Sequence, residues 1–184
     1  MKKMLGIAAA FAASLSFVPM ASADERTCRG KLGAVTVDDL RVPDGATCTL
    51  TGTSVKGTIK VEKGATLVAS GVRVVGNVQA ENARSVTVKA GSRIGGSIQV
   101  KQGGGASVLD STISGDIQYD ENRSALTARA NRVGGSIQVV KNTGGVTIAS
   151  NRVDGNLQCK ENRPAPTGSG NVVQGHKEDQ CARL

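Results

Sequence analysis

Glycine recurs at positions 57, 76, 96, 115, 135, 155 and 175, at intervals of 19 or 20 residues. A fixed period of that length belongs to chains built from stacked copies of one small unit. The residues around each glycine say what the unit is. Two before it stand Val55, Val74, Ile94, Ile113, Val133, Val153 and Val173; two after stand Ile59, Val78, Ile98, Ile117, Ile137 and Leu157. Four after stand Val61, Ala80, Val100, Tyr119, Val139 and Cys159. Apolar side chains on every second residue mark one buried face of a β-strand, and the glycine is expected on that face, where the backbone bends or packs closely. A second alternating strand follows in each unit, as Leu67/Ala69, Val86/Val88, Ala106/Val108, Leu126/Ala128 and Val146/Ile148. The pattern starts before Gly57, because "VPDGATCTL" at 42–50 returns as "VEKGATLVA" at 61–69.

Strands this short bury their apolar face when coils stack, each strand pairing in parallel with its copies above and below. The spacing predicts an all-β, single-domain, right-handed parallel β-helix (β-solenoid) of about seven to eight coils, each of 19–20 residues. Right-handed coiling is expected because the period is not the multiple of six found in left-handed hexapeptide helices. The coils span 35–175, between an N-terminal cap at 24–34 and a C-terminal cap at 176–184. At about 4.8 Å per coil the rod is on the order of 35 Å long.

Residues 1–23 read as a secretory signal, with Lys2 and Lys3 ahead of the apolar "MLGIAAAFAASLSFV" and a cleavage-like "ASA" ending at Ala23. The apolar run is too short and too alanine-rich for a membrane span, so no transmembrane segment is expected. The segment holds both Phe and all three Met, which leaves Tyr119 as the single aromatic of residues 24–184. Without Lys2 and Lys3 the formal charge falls from +8 to +6, still a balance that favours polyanionic partners.

Four cysteines in an exported chain favour disulfides, and with no CxxC pair neither a metal site nor any cofactor is expected. Cys48 and Cys159 lie some five coils apart, roughly 25 Å along the axis, far beyond the reach of a disulfide. The pairing that fits is Cys28 with Cys48 and Cys159 with Cys181, one bridge tying each cap.

Outward positions repeat too. Three residues after the glycines come Lys60, then Gln79, Gln99, Gln118, Gln138 and Gln158; stacked in register, these amides are expected to hydrogen-bond along the ladder. One residue after come Thr58, Asn77, Ser97, Asp116, Ser136 and Asn156, read as part of the same outward polar grid. Three residues before stand Arg73, Arg93, Arg132 and Arg152, with Thr112 interrupting the row: an arginine stripe parallel to the axis. Acid–base pairs are expected in "ENAR" at 81–84 and "ENR" at 121–123 and 161–163, with Lys101, Lys141 and Lys160 on the same turn. Asn131, Asn151 and Asn171 mark one corner and Asn122, Asn142 and Asn162 another, as stacked turn residues.

Repeats such as "SNRVDGNLQ" and "ISGDIQ" resemble right-handed parallel β-helices of the pectate-lyase type, and the short coils are similar to those of bactofilin solenoids. The ending "GNLQCKENRPAPTGSGNVVQGHKEDQC" resembles that of a group of exported bacterial β-helix proteins sharing "PAPT" and a terminal "QC". The resemblance covers nearly all of residues 24–184; it implies a fold and no established activity. Pectate-lyase-like catalysis implies clustered Asp with Arg or Lys beside them on one sheet. Here the candidates are Asp116, Asp120 and Arg132, with a single acid in the repeated row, so catalysis is disfavoured.

The expected function is that of a non-enzymatic exported structural or binding module of the cell envelope, periplasmic or extracellular, holding an anionic polymer such as an acidic polysaccharide along the arginine stripe. Nucleic acid is not expected as a partner, since no outward aromatic is left to stack bases. The alternatives are a polysaccharide lyase or hydrolase, a self-assembling filament, which disulfide-tied caps would hinder, and an ice-binding rod, for which Thr-x-Thr rows are missing.

Overall fold

The computed structural model describes residues 24–184; the signal read at 1–23 lies outside the described residues. Every regular element is a strand, and all pairings are parallel between residues about one period apart, such as Ile117 with Ile137 and Tyr119 with Val139. The result is a parallel β-solenoid of about 7 turns. It has three sheets. Sheet A has nine strands, from Glu25–Thr27 to Lys177–Asp179; sheet B has seven, from Lys31–Leu32 to Val146–Ala149; sheet C has eight two-residue strands, from Thr36–Val37 to Val172–Val173.

The sequence reading of two strands per coil is thus corrected to three. The stretch read as one strand through each glycine is broken there: Arg132–Val133 belongs to sheet C, Ile137–Val140 to sheet A, and Gly135 lies in the bend between them. The inward positions are those the alternation marked. Val133, Ile137, Val139, Ile148 and Val153 are fully buried, each burial contributing about 1.5–3 kcal/mol. Tyr119 occupies an inward slot of sheet A and reaches across the core, its hydroxyl donating to Thr127 O at 3.0 Å. Burial pushes its phenol far above the ordinary value.

The three corners share one hydrogen-bonding problem. Along a regular parallel strand, successive N–H groups point alternately to the two neighbouring strands. A chain turning from sheet C into sheet A instead aims three consecutive N–H groups at the coil before; one goes to a strand carbonyl, as Gly134 N to Ile113 O at 2.8 Å, and two belong to the corner itself. The first takes the preceding glycine carbonyl: Gly135 N donates to Gly115 O at 3.0 Å and Gly155 N to Gly135 O at 2.8 Å. The second takes a side chain. Ser136 N donates to Asp116 Oδ1 at 2.7 Å, Asn156 N to Ser136 Oγ at 2.9 Å and His176 N to Asn156 Oδ1 at 2.9 Å. The row begins at Asp39, whose Oδ1 accepts from Thr58 N at 2.7 Å, and continues through Asn77 and Ser97. These residues are therefore not part of an outward grid; each is folded beneath the glycine of the next coil. A Cβ at Gly155 would stand 2.5 Å from Ser136 Oγ, and one at Gly135 would collide with Asp116 Oδ1.

At the other two corners the paired N–H groups point to the coil after. Lys141 N donates to Lys160 O at 2.9 Å and Asn142 N to Asn162 Oδ1 at 3.0 Å; Ser150 N donates to Ser169 O at 2.9 Å and Asn151 N to Asn171 Oδ1 at 3.1 Å. The asparagines are buried and bond to one another as the sequence suggested, Asn122 Nδ2 to Asn142 Oδ1 at 3.0 Å and Asn142 Nδ2 to Asn162 Oδ1 at 2.9 Å. Gln180 from the C-terminal cap closes that row on Asn162 N at 2.9 Å. The left-handed turn conformation falls on the residue before each asparagine, Lys141 at φ 53° and Ser150 at φ 55°.

The disulfides are Cys28–Cys48 and Cys159–Cys181, as the axial spacing required. They join residues 20 and 22 apart, and closing a loop of that size removes about 3 kcal/mol of denatured-chain entropy. Among the described residues no helix is long and apolar enough to cross a membrane.

Near the N-terminal end, the Arg41 fork grips Glu62, Nε to Oε1 at 2.7 Å and Nη2 to Oε2 at 3.0 Å, and holds that carboxyl below its usual range. A depressed folded value means the pair stabilises fully above the unfolded value, near pH 4, and less as pH falls through the folded one. Unfolding curves of the wild type and Glu62→Gln should therefore differ slightly at neutral pH and converge in acid; a difference that persists at pH 2 would contradict this.

Candidate functional site

In the two-residue strands of sheet C one side chain points in and the other out. Val74, Ile94, Ile113, Val133 and Val153 are buried, so the residue before each is necessarily outward. The Cα register runs Arg73, Arg93, Thr112, Arg132, Arg152, and the row continues to Ser54 at one end and Val172 at the other. All four arginines are exposed. The ion pairs among the described residues are Arg41–Glu62 and Lys56–Asp38, so none of the four is paired. Beside them lies a shelf of small residues that includes Gly95, Ser114 and Gly134, and a groove of about 270 Å³ runs past Arg73, Val75, Arg93, Thr112 and Ser114.

Successive coils place these guanidinium stems about 4.8 Å apart. Like charges at that spacing repel by about 1 kcal/mol even in water. No carboxylate lies within ion-pair distance of the four, so the row is a line of positive charge with two adjacent pairs, Arg73/Arg93 and Arg132/Arg152, separated by a hydroxyl.

The glutamines lie on a different face. Gln79, Gln99, Gln118, Gln138 and Gln158 are in register on the outside of sheet A, across the glycine corner from the arginines. The two halves of the predicted site are thus not brought together. Nor do the amides form the expected ladder: among the described residues their side-chain bonds are Gln118 Nε2 to Asp116 Oδ2 at 3.5 Å and Gln158 Nε2 to Glu178 Oε2 at 2.7 Å. The acid–base pairs expected at "ENAR" and "ENR" are absent too, since Arg84, Arg123 and Arg163 form no ion pair among the described residues.

The three residues considered for catalysis are dispersed. Asp116 sits at the corner with Oδ1 committed to Ser136 N, Asp120 ends the sheet A strand Ile117–Asp120, and Arg132 is on sheet C. Four residue steps of extended chain hold Asp116 and Asp120 roughly 13 Å apart at Cα, and with Oδ1 of Asp116 taken by Ser136 N the two are not set as a facing acid pair. Among the described residues no group of three or more His, Cys, Asp or Glu is placed to hold a metal.

No protein family, curated protein or solved structure matches the chain. The β-solenoid that the resemblance implied is the fold observed, and the likeness to any one family rests on the quoted residues alone. Sequence reasoning missed the corner acceptors. Their signal was present in composition: Thr58, Asn77, Ser97, Asp116, Ser136 and Asn156 all carry an oxygen one or two bonds beyond Cβ, the set that caps backbone N–H groups.

Proposed function

We propose that the protein is an exported, non-enzymatic rod of the cell envelope that holds an extended polyanion along the sheet C arginines. The supporting observation is the row itself: Arg73, Arg93, Arg132 and Arg152, exposed, in register and without a carboxylate partner among the described residues. Each guanidinium offers a planar fork that a carboxylate, sulfate or phosphate accepts with two hydrogen bonds. A rigid rod holds the four stems in line before binding, so the ligand alone loses freedom on docking. Export is supported by the two disulfides, which persist in an oxidising compartment. Assignment to the periplasm or the exterior rests on the signal read at 1–23. The dispersal of Asp116, Asp120 and Arg132 supports a role without catalysis.

On a column of sulfated or uronate polymer the protein should be retained and released by salt, because exposed charges are screened within about 10 Å at 0.1 M. Arg132→Ala with Arg152→Ala should elute at distinctly lower salt, and Thr112→Arg, which completes the row, at higher salt. Retention that survives the double substitution sinks the reading.

A further inference from the structure

We propose that the outer face of sheet A is a second binding site, for a neutral, hydroxyl-rich linear polymer, that is, a neutral polysaccharide. The carrying observation is a furrow floored by amides that do not bond to one another. A groove of about 490 Å³ is lined by Lys60, Glu62, Gln79, Glu81, Gln99 and Lys101. A second, of about 180 Å³, is lined by Lys101, Gln118, Asp120, Gln138 and Val140. They share Lys101 and follow one register row, Lys60, Gln79, Gln99, Gln118, Gln138, along about 19 Å of the axis.

The asparagine rows show that amides at this coil spacing can bond to each other at 2.9–3.0 Å when they turn along the axis. The glutamines of the furrow do not: Gln118 Nε2 makes one long contact, to Asp116 Oδ2 at 3.5 Å, and among the described residues the amides of Gln79, Gln99 and Gln138 have no side-chain partner. Gln158 is tied to Glu178, so the open row ends at Gln138. A carboxamide offers two N–H donors and two acceptor lone pairs, which matches a sugar hydroxyl that both donates and accepts.

Charge separates this face from sheet C. The furrow mixes Glu62, Glu81 and Asp120 with Lys60, Lys63 and Lys101, so a polyanion meets repulsion along with attraction. A peptide strand is disfavoured because the backbone groups beneath the furrow are already paired with neighbouring coils, and Val140 is the one apolar side chain on its outer rows that a peptide residue could anchor to. A linear neutral glycan needs neither a free strand edge nor an apolar pocket. With no aromatic on this face, binding is built from many weak hydrogen bonds, so length of ligand sets affinity.

The test is electrophoresis of the disulfide-bonded protein through native gels containing dextran, galactomannan or xyloglucan, with a polygalacturonate gel as the anionic arm. Retardation is expected in at least one neutral gel and should persist at high salt. Gln99→Ala with Gln118→Ala and Gln138→Ala should weaken that association by about tenfold or more. The same variant should melt like the wild type and keep its polygalacturonate retardation, while Arg132→Ala with Arg152→Ala should do the opposite. No retardation in any neutral gel overturns the proposal, as does retardation that the glutamine variant leaves unchanged or that salt abolishes. Because the two arms use different residues and different salt behaviour, failure here leaves the arginine reading standing, and failure there leaves this one.

Discussion

Asn142→Ala should lower the unfolding free energy by about 3–5 kcal/mol, which for a domain of this size is a fall in Tm of about 10 °C. Asn142 is fully buried and makes four side-chain hydrogen bonds: Oδ1 accepts from Asn122 N at 2.9 Å and Asn122 Nδ2 at 3.0 Å, while Nδ2 donates to Tyr119 O at 3.0 Å and Asn162 Oδ1 at 2.9 Å. Removing the amide strands the N–H of Asn122 in a corner that water does not reach, at about 1–3 kcal/mol, and takes from the Tyr119 carbonyl and from Asn122 Nδ2 and Asn162 Oδ1 a buried partner each. It also leaves a cavity between two coils whose backbone ladders hold them at fixed spacing. Asn142→Ser should recover part of the loss by restoring a short acceptor, as Ser92 Oγ does for Val72 N at 3.2 Å. Thr143→Ala, one residue away and exposed, should change stability by less than about 0.5 kcal/mol. Equal effects at 142 and 143 in urea unfolding would show that the ladder does not carry the corner.

The contrast between those neighbours shows where the sequence was legible. Val133, Ile137 and Val139 could be placed inward because apolar alternation reports which way a side chain faces within one strand. Cys28 and Cys48 could be paired because a fixed rise per coil turns sequence distance into axial distance. What alternation does not report is the angle the chain turns at a bend. Arg132 and Gln138 flank Gly135 by three residues each, and on paper they share an outer surface. The bend at Gly135 sends Arg132 to sheet C and Gln138 to sheet A, so one composite site becomes two faces of different charge. The same limit explains the misplaced row. Ser136 alternates as an outward residue, but it stands just outside the strand Ile137–Val140, where the local rule has lapsed and the demand of an unpaired N–H decides its direction.

Gly135→Ala tests that account of the repeat glycine and is expected to cost about 3 kcal/mol. The new Cβ would collide with Asp116 Oδ1 and lie 3.0 Å from Gly115 O, and the coil cannot move away without stretching the Gly135 N to Gly115 O bond of 3.0 Å. If glycine is required because a side-chain cap fills the space where a Cβ would go, then removing the cap should relieve the clash. Asp116→Ala alone should cost about 1–2 kcal/mol, the loss of one acceptor for Ser136 N. Combined, the two substitutions should cost less than the sum of their separate effects by about 1–2 kcal/mol, because the methyl introduced at position 135 enters the volume the carboxylate has left. The relief is incomplete, since the contact with the Gly115 carbonyl remains and Ser136 N stays without its acceptor. Additive costs across this cycle would mean that backbone closeness alone demands the glycine, and the six residues that follow the glycines would then be caps by coincidence of composition. A coupling of the expected sign would tie Gly135 and Asp116 into one device and explain why both members recur with the period of the coil: each glycine exists to make room for the cap that the coil before it extends.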